Sequence, residues 1–81
     1  MTAPEPYLSA LRRWHETSWR GGDKTQIVVD MKSALSDPES LTHAKARRKA
    51  LDELNSVCGG HIHQRDHLGA LELDLLQQAM E

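Results

Sequence analysis

Four residues between positions 58 and 67 carry the side chains best suited to bind a metal ion, namely Cys58, His61, His63 and His67. Thiolate and imidazole are the ligands that Zn²⁺ prefers, and a helix beginning near His63 would place His63 and His67 on one face. Four ligands within ten residues are sterically cramped, however, and a polar loop that starts a helix is the structural alternative. The sequence therefore predicts no cofactor, with zinc binding through this loop as the alternative function.

Catalytic chemistry has weaker support in the sequence. Cys58 and His61 have the residue types of a nucleophile and its base, but they are close neighbours in sequence and no third group is marked to orient the histidine. The sequence also lacks a glycine-rich phosphate loop after a strand and a serine nucleophile elbow. A chain of this length forms a deep cleft poorly. We therefore expect a protein that is not an enzyme.

Three cations on the third predicted helix form the candidate nucleic-acid site, namely Lys45, Arg48 and Lys49. On a helical wheel they face away from the apolar arc, where they could contact phosphates. Asp52 lies in the same sector, and a solvated face is the commoner explanation. The chain has a net charge of −2 and a pI near 6.2, so its overall field does not attract polyanions. Nucleic-acid binding is thus the second alternative function, and we expect no nucleic-acid partner.

Charged residues interrupt two otherwise apolar helix faces. His43 and Arg47 project into the arc of the third helix that later carries Leu51, and Glu72 lies in the middle of the leucine arc of the fourth. An unpaired buried carboxylate is costly, so one interpretation is a buried Arg47–Glu72 pair. A second interpretation makes His43 and Arg47 part of a contact surface for another chain, and a third leaves them exposed at the rim.

Glycine and proline divide the chain into four segments of helical length, which predicts an all-α bundle of about four helices in one domain over residues 1–81. The first runs from near Pro4 to Arg20 and the second from Asp23 to Ser36. The third starts at Pro38, with Asp37 as its cap, and stops at Gly59. The fourth runs from about Gln64 to Met80. A short strand near 26–31 in an α+β fold is the alternative, because Ile27, Val28 and Val29 are β-branched.

The amount of apolar material bears on the assembly of the bundle. The chain has 81 residues, no Phe and 4% aromatic residues, and only about 63% of its surface can be buried on folding. Leucines of the fourth helix spread over an arc wider than one neighbour covers, so we expect Leu73, Leu76 and Met80 to form an apolar edge left for a partner. Tyr7 and the two tryptophans are expected inside the bundle.

The sequence as a whole predicts a small non-enzymatic protein–protein interaction or adaptor module that associates with itself or with another chain. Its predicted partner-binding residues are His43, Arg47, Glu72, Leu73, Leu76 and Met80. The longest aliphatic run is Ile27–Val29, so no membrane span and no membrane partner are expected. The first residues lack a secretory signal and the single cysteine excludes an internal disulfide, so we expect a cytoplasmic protein.

Overall fold

A computed structural model of the protein describes residues 4–57 and 67–81, and these residues form four helices. They are α1 (Glu5–Arg20), α2 (Thr25–Ala34), α3 (Pro38–Val57) and α4 (His67–Ala79). The predicted all-α bundle is confirmed. The alternative strand near 26–31 is wrong, because those residues lie inside α2. No helix of the described ranges is both long and apolar enough to cross a membrane.

Local sequence signals account for the ends of α1. Pro4 and Pro6 flank its first residue, where a missing backbone N–H costs nothing. At the other end Gly21 adopts the left-handed conformation, with φ of 71°. The next amide, that of Gly22, donates to the carbonyl of Thr17 at 3.2 Å. The predicted glycine stop after Arg20 is therefore confirmed, since a left-handed residue lets the chain close the helix by this backward hydrogen bond.

The turn between α2 and α3 contains the predicted cap residue Asp37 and the predicted first helical residue Pro38. α3 begins at Pro38, and the carboxylate of Asp37 accepts a hydrogen bond from the backbone N–H of Ser40 at 3.1 Å. This bond satisfies one of the amides that a helix start leaves without an internal partner. The same carboxylate accepts the Ser40 hydroxyl at 3.3 Å, and Ser40 is buried. Asp37 therefore fixes the start of α3.

Helix α4 lies at the centre of the bundle and packs against α1, α2 and α3. Three neighbours cover its wide apolar arc, so Leu73 is only 6% exposed and Leu76 is completely buried. The prediction that these two leucines form an exposed edge is wrong, because the chain's own helices occupy that surface. Met80, just beyond the end of α4, remains half-buried.

The core joins these leucines to aromatic and aliphatic side chains from the first two helices. Its members are Tyr7, Ala10, Trp14, Ile27, Met31, Leu35, Ala44, Leu75, Leu76 and Ala79. Tyr7 and Trp14 are internal, as expected. Trp19 is 75% exposed, so its predicted burial is wrong. It lies five residues, or about 140° around the helix, from Trp14 and therefore points away from the face that packs.

The Gly21 conformation yields a stability prediction. A Cβ at position 21 would meet nothing within 4 Å, so substitution there perturbs the backbone conformation alone. We expect Gly21→Ala to lower the free energy of unfolding by about 1 kcal/mol, as measured by urea denaturation. Gly21→Asn is the matched control, because asparagine tolerates the left-handed conformation better than alanine. Equal losses in the two variants would contradict this explanation.

Candidate functional site

The most buried charge of the described chain, Glu72, sits among the leucines of α4 and is held by two other helices. Arg47 of α3 donates from Nε to Oε1 at 3.1 Å and from Nη2 to Oε2 at 2.7 Å. The hydroxyl of Tyr7 on α1 donates to Oε1 at 2.7 Å. The predicted Arg47–Glu72 pair is confirmed, and its two parallel hydrogen bonds give it a defined geometry.

His43 completes the arrangement, which we call the Glu72 cluster (Tyr7, His43, Arg47 and Glu72). The rings of Tyr7 and His43 meet edge to face, with their centroids 4.9 Å apart and an interplanar angle of 79°. His43 and Arg47 are four residues apart on α3 and therefore lie on the same face. Ala44, completely buried beside them, lets the helices approach closely. The interruption of the α3 apolar face is thus a polar contact within the chain.

The contacts of the Glu72 cluster shift the pKa values of Glu72, Tyr7 and Arg47. Burial by itself raises the pKa of Glu72, but hydrogen bonds from Arg47 and Tyr7 lower it, and the balance leaves the pKa below its ordinary value. Burial first, and then the hydrogen bond to Glu72, raise the pKa of Tyr7 well above 10.0. The hydrogen bond to Glu72 also raises the pKa of Arg47. At neutral pH the cluster is an ionised carboxylate held by a guanidinium and a protonated phenol.

The Glu72 cluster is largely occupied by its own contacts. The side chain of Glu72 is 8% exposed, and its two oxygens accept three hydrogen bonds. The side chain of Arg47 is 43% exposed and keeps an edge in solvent. Partner binding by His43, Arg47 and Glu72 stays a prediction, and the half-buried His43 and Arg47 are the two of them that keep surface available for it.

A second feature, the α3 groove, is an open depression of about 520 Å³ between α3 and the ends of α2 and α4. Its lining residues are Leu35, Leu41, Lys45, Arg48, Lys49, Asp52, Glu53, Ala79 and Met80. The floor is apolar, with Leu35 and Ala79 buried and Leu41 and Met80 half-buried. The wall is a charged face of α3. An apolar floor beside a charged wall is typical of a surface that binds another molecule.

The charges of the α3 wall follow a defined order. Lys45, Arg48 and Lys49 come first along the helix, and Asp52 and Glu53 follow one turn later. These positions recur at helical spacing and share one face. Arg48 reaches across the groove, where its Nη1 lies 3.8 Å from the sulfur of Met80, and its Nε is 4.0 Å from the carboxylate of Asp52.

The three cations face away from the apolar arc of α3 that carries Ala44 and Leu51, as expected, and Lys45 and Lys49 are exposed. Lys45, Arg48 and Lys49 line the same groove as Met80 and the other floor residues, because α2 and α4 end beside this face of α3. Asp52 and Glu53 share the wall, so its field changes sign along the helix. Nucleic-acid binding through these cations stays an untested alternative.

The predicted metal ligands Cys58, His61 and His63 lie outside the described residues. His67 begins α4, and its side chain also lies outside the description. Elsewhere, within residues 4–57 and 68–81, no group of three metal-binding side chains comes together. The zinc alternative therefore stays a prediction about the segment between α3 and α4.

The sequence analysis did not identify Tyr7 as a hydrogen-bond donor to the Glu72 carboxylate, nor Leu35 as part of the groove floor. Tyr7 and Glu72 are 65 positions apart, and an amphipathic pattern predicts only that Tyr7 is internal. Leu35 follows the last residue of α2, and its place in the floor depends on how α2 meets α3. The signal that could have identified Tyr7 is its hydroxyl, because a buried hydroxyl needs a hydrogen-bond partner and the Glu72 carboxylate can accept one.

Loss of the Glu72 charge should destabilise the protein in a pH-dependent way. We expect Glu72→Gln to lower the free energy of unfolding at pH 7 by about 2 kcal/mol, since Arg47 loses its charged partner but remains partly solvated. Because the pKa of Glu72 is lowered in the folded state, its contribution is fully present above the ordinary value of 4.5 and is lost as pH falls below it.

Urea denaturation of wild type and Glu72→Gln over a series of pH values measures this effect. The difference between the two proteins should shrink as the solution is acidified through this range. Glu53→Gln, which removes an exposed carboxylate of the same type, serves as the control and should change stability little. A Glu72→Gln deficit that is the same at every pH would contradict the explanation.

The Tyr7 hydroxyl should be coupled energetically to Glu72. We expect Tyr7→Phe to cost about 1 kcal/mol of unfolding free energy, because one hydrogen bond is lost while the ring keeps its packing. The cost should fall in a Glu72→Ala background, where the hydroxyl has no carboxylate to contact. A double-mutant cycle by urea denaturation measures the coupling, and strict additivity would contradict the contact.

Comparisons with protein-family models, with curated proteins and with solved structures find no match for this chain.

Proposed function

We propose that this chain is a small protein–protein interaction module that binds an amphipathic helix of a partner protein in the α3 groove. The observation that carries the proposal is the groove itself, in which half-buried Leu41 and Met80 lie beside a charged wall. A partner helix with one apolar face could cover these side chains while its polar edge meets the charges.

The dimensions and the composition of the groove favour a helix as its occupant. The lining residues of α3 extend from Leu41 to Glu53, which corresponds to about 18 Å, or roughly three helical turns. The walls are helices whose backbone groups bond within each helix, so they offer no free edge to an extended strand. A helix presenting apolar side chains at successive turns fits this shape.

The Glu72 cluster supports binding by keeping the groove in place. It ties α3 to α4 and α1 through hydrogen bonds at defined distances, and none of its residues lines the groove. The helices that form the groove are therefore oriented before a partner arrives, which lowers the entropy lost on binding. The mutual contacts of Tyr7 and Glu72 fit a structural use of these groups rather than a catalytic one.

A second copy of this chain and a nucleic acid are the other two candidate occupants of the groove. Self-association was expected through Leu73, Leu76 and Met80, and burial removes the two leucines from the surface offered to a second copy. Nucleic acid would contact Lys45, Arg48 and Lys49 but would also meet the carboxylates on the same wall, which repel phosphates. A partner helix satisfies both the apolar floor and the mixed wall.

Selection from a library of helical peptides displayed on phage tests the proposal. We expect enriched peptides to bind wild type at least about tenfold more tightly than Met80→Glu, because that change places a charge on the apolar floor. Gln78→Glu, which adds the same charge at an exposed position near the end of α4, should bind like wild type. Affinities are measured by isothermal titration calorimetry.

Three outcomes would overturn the proposal. They are a failure to enrich any peptide, equal affinity of the enriched peptides for wild type and Met80→Glu, and occupation of the groove by another molecule. Light scattering that shows a dimer abolished by Met80→Glu would identify a second copy as the occupant. Tight binding of duplex DNA that is lost in Lys45→Gln/Lys49→Gln would identify nucleic acid.

A further inference from the structure

The order of the charges along the α3 wall also indicates which charges a partner helix should carry. We propose that the partner helix carries acidic side chains toward one end and basic side chains toward the other, an inference that rests on the proposed function. The charges of the wall thereby fix the direction of the helix in the groove. Lys45, Arg48 and Lys49 would receive the acidic end, while Asp52 and Glu53 would receive the basic end.

The distance between the cations and the carboxylates of the wall sets the expected distance between acidic and basic groups on the partner helix. The three cations and the two carboxylates are centred about five residues apart on α3, which corresponds to roughly 8 Å along the helix axis. A partner helix lying along α3 would match them with acidic and basic groups separated by a similar distance. Its apolar face, turned toward the floor, would lie beside this charged edge.

The wall charges are left available for a partner by the chain's own contacts. Within residues 4–57 and 68–81, Lys45, Lys49 and Glu53 form no ion pair, and all three are exposed. The Arg48–Asp52 pair is long at 4.0 Å, and both side chains are more than one-third exposed. Such a pair is weak and is readily exchanged for a better-placed partner. The wall therefore has unmatched charge of both signs.

Arg48 links the charged wall to the apolar floor. Its guanidinium lies 3.8 Å from the sulfur of Met80, which is a weak acceptor. An acidic side chain of the partner would offer Arg48 a charge-assisted hydrogen bond in place of the thioether contact. Movement of Arg48 toward that acid would also uncover Met80 for the partner's apolar face. Entry of the acidic end and exposure of the floor are thus coupled through one side chain.

A helix of uniform charge fits this wall less well than a segregated one. A wholly acidic helix would place carboxylates against Asp52 and Glu53, and a wholly basic helix would place cations against Lys45 and Lys49. A helix with interleaved charges would combine attraction and repulsion at both ends. Segregated charge is the arrangement in which every contact along the wall is attractive.

Two designed peptides of identical composition test this inference. Both carry the same apolar face, one with acidic and basic residues segregated to opposite ends and one with them interleaved. We expect the segregated peptide to bind wild type about tenfold more tightly by isothermal titration calorimetry in low salt, and the difference to shrink at 1 M salt because screening weakens exposed pairs. A third peptide with the same apolar face and uncharged polar residues is the reference.

Direction is measured with a spin label on the acidic end of the segregated peptide. In wild type, the label should broaden the backbone amide NMR signals around Lys45 more than those around Glu53. A charge-swapped protein, Lys45→Glu/Lys49→Glu/Asp52→Lys/Glu53→Lys, keeps the net charge and should move the broadening to the other end of the wall. The twofold swap Lys49→Glu/Glu53→Lys should weaken the preference for one binding direction. It tests the same inference if the fourfold variant fails to fold.

The results separate this inference from the proposed function. Equal affinity of all three peptides, with binding still lost in Met80→Glu, would overturn the charge order and leave the groove as a helix-binding site. Broadening at the same end in wild type and in a folded swapped protein would also overturn it. Failure of all three peptides to bind would overturn the designed charge match, while enrichment of peptides from the phage library would show independently that the groove binds helices.

Discussion

A carboxylate inside a leucine-lined helix face is the constraint on which the arrangement of this bundle depends. Glu72 lies on the central helix α4, where an uncompensated charge would cost several kcal/mol. Arg47 from α3 and Tyr7 from α1 supply the hydrogen bonds that offset this cost. Because those bonds form only when the three helices have one mutual register, the buried charge favours one packing over alternatives that an aliphatic core would tolerate.

The same constraint connects the stability of the bundle to the proposed binding groove through the two faces of α3. One face carries His43 and Arg47 into the Glu72 cluster, and another carries the charged wall of the groove. Holding the first face against α4 orients the second, so the charged wall of the proposed binding groove is displayed without contributing its own residues to the core. This division allows the wall to retain unmatched charge, because the energy that holds α3 in place comes from elsewhere.

The central position of α4 explains why its last leucines are enclosed within the chain. α4 packs against three helices, and its neighbours cover Leu73, Leu75 and Leu76 without a second subunit. Counting leucines around a helical wheel correctly identified a wide apolar arc, but the wheel does not state how many neighbours that arc will have. On α4, Leu68 is exposed and Leu71 is half-buried, and Met80 just beyond its end is half-buried where coverage by α2 and α3 stops.

The sequence by itself determined the four helices, because the signals that start and end them, such as Asp37, Pro38 and Gly21, act through hydrogen bonds and dihedral angles within a few residues. It also indicated the Arg47–Glu72 pair, since a charge on each of two apolar faces calls for an opposite charge. Tertiary structure alone decided that Tyr7 joins that pair, that the last leucines are enclosed, and that Lys45 and Met80 border one groove. These outcomes depend on the angles and offsets at which distant helices meet, and periodicity along one helix carries no information about them.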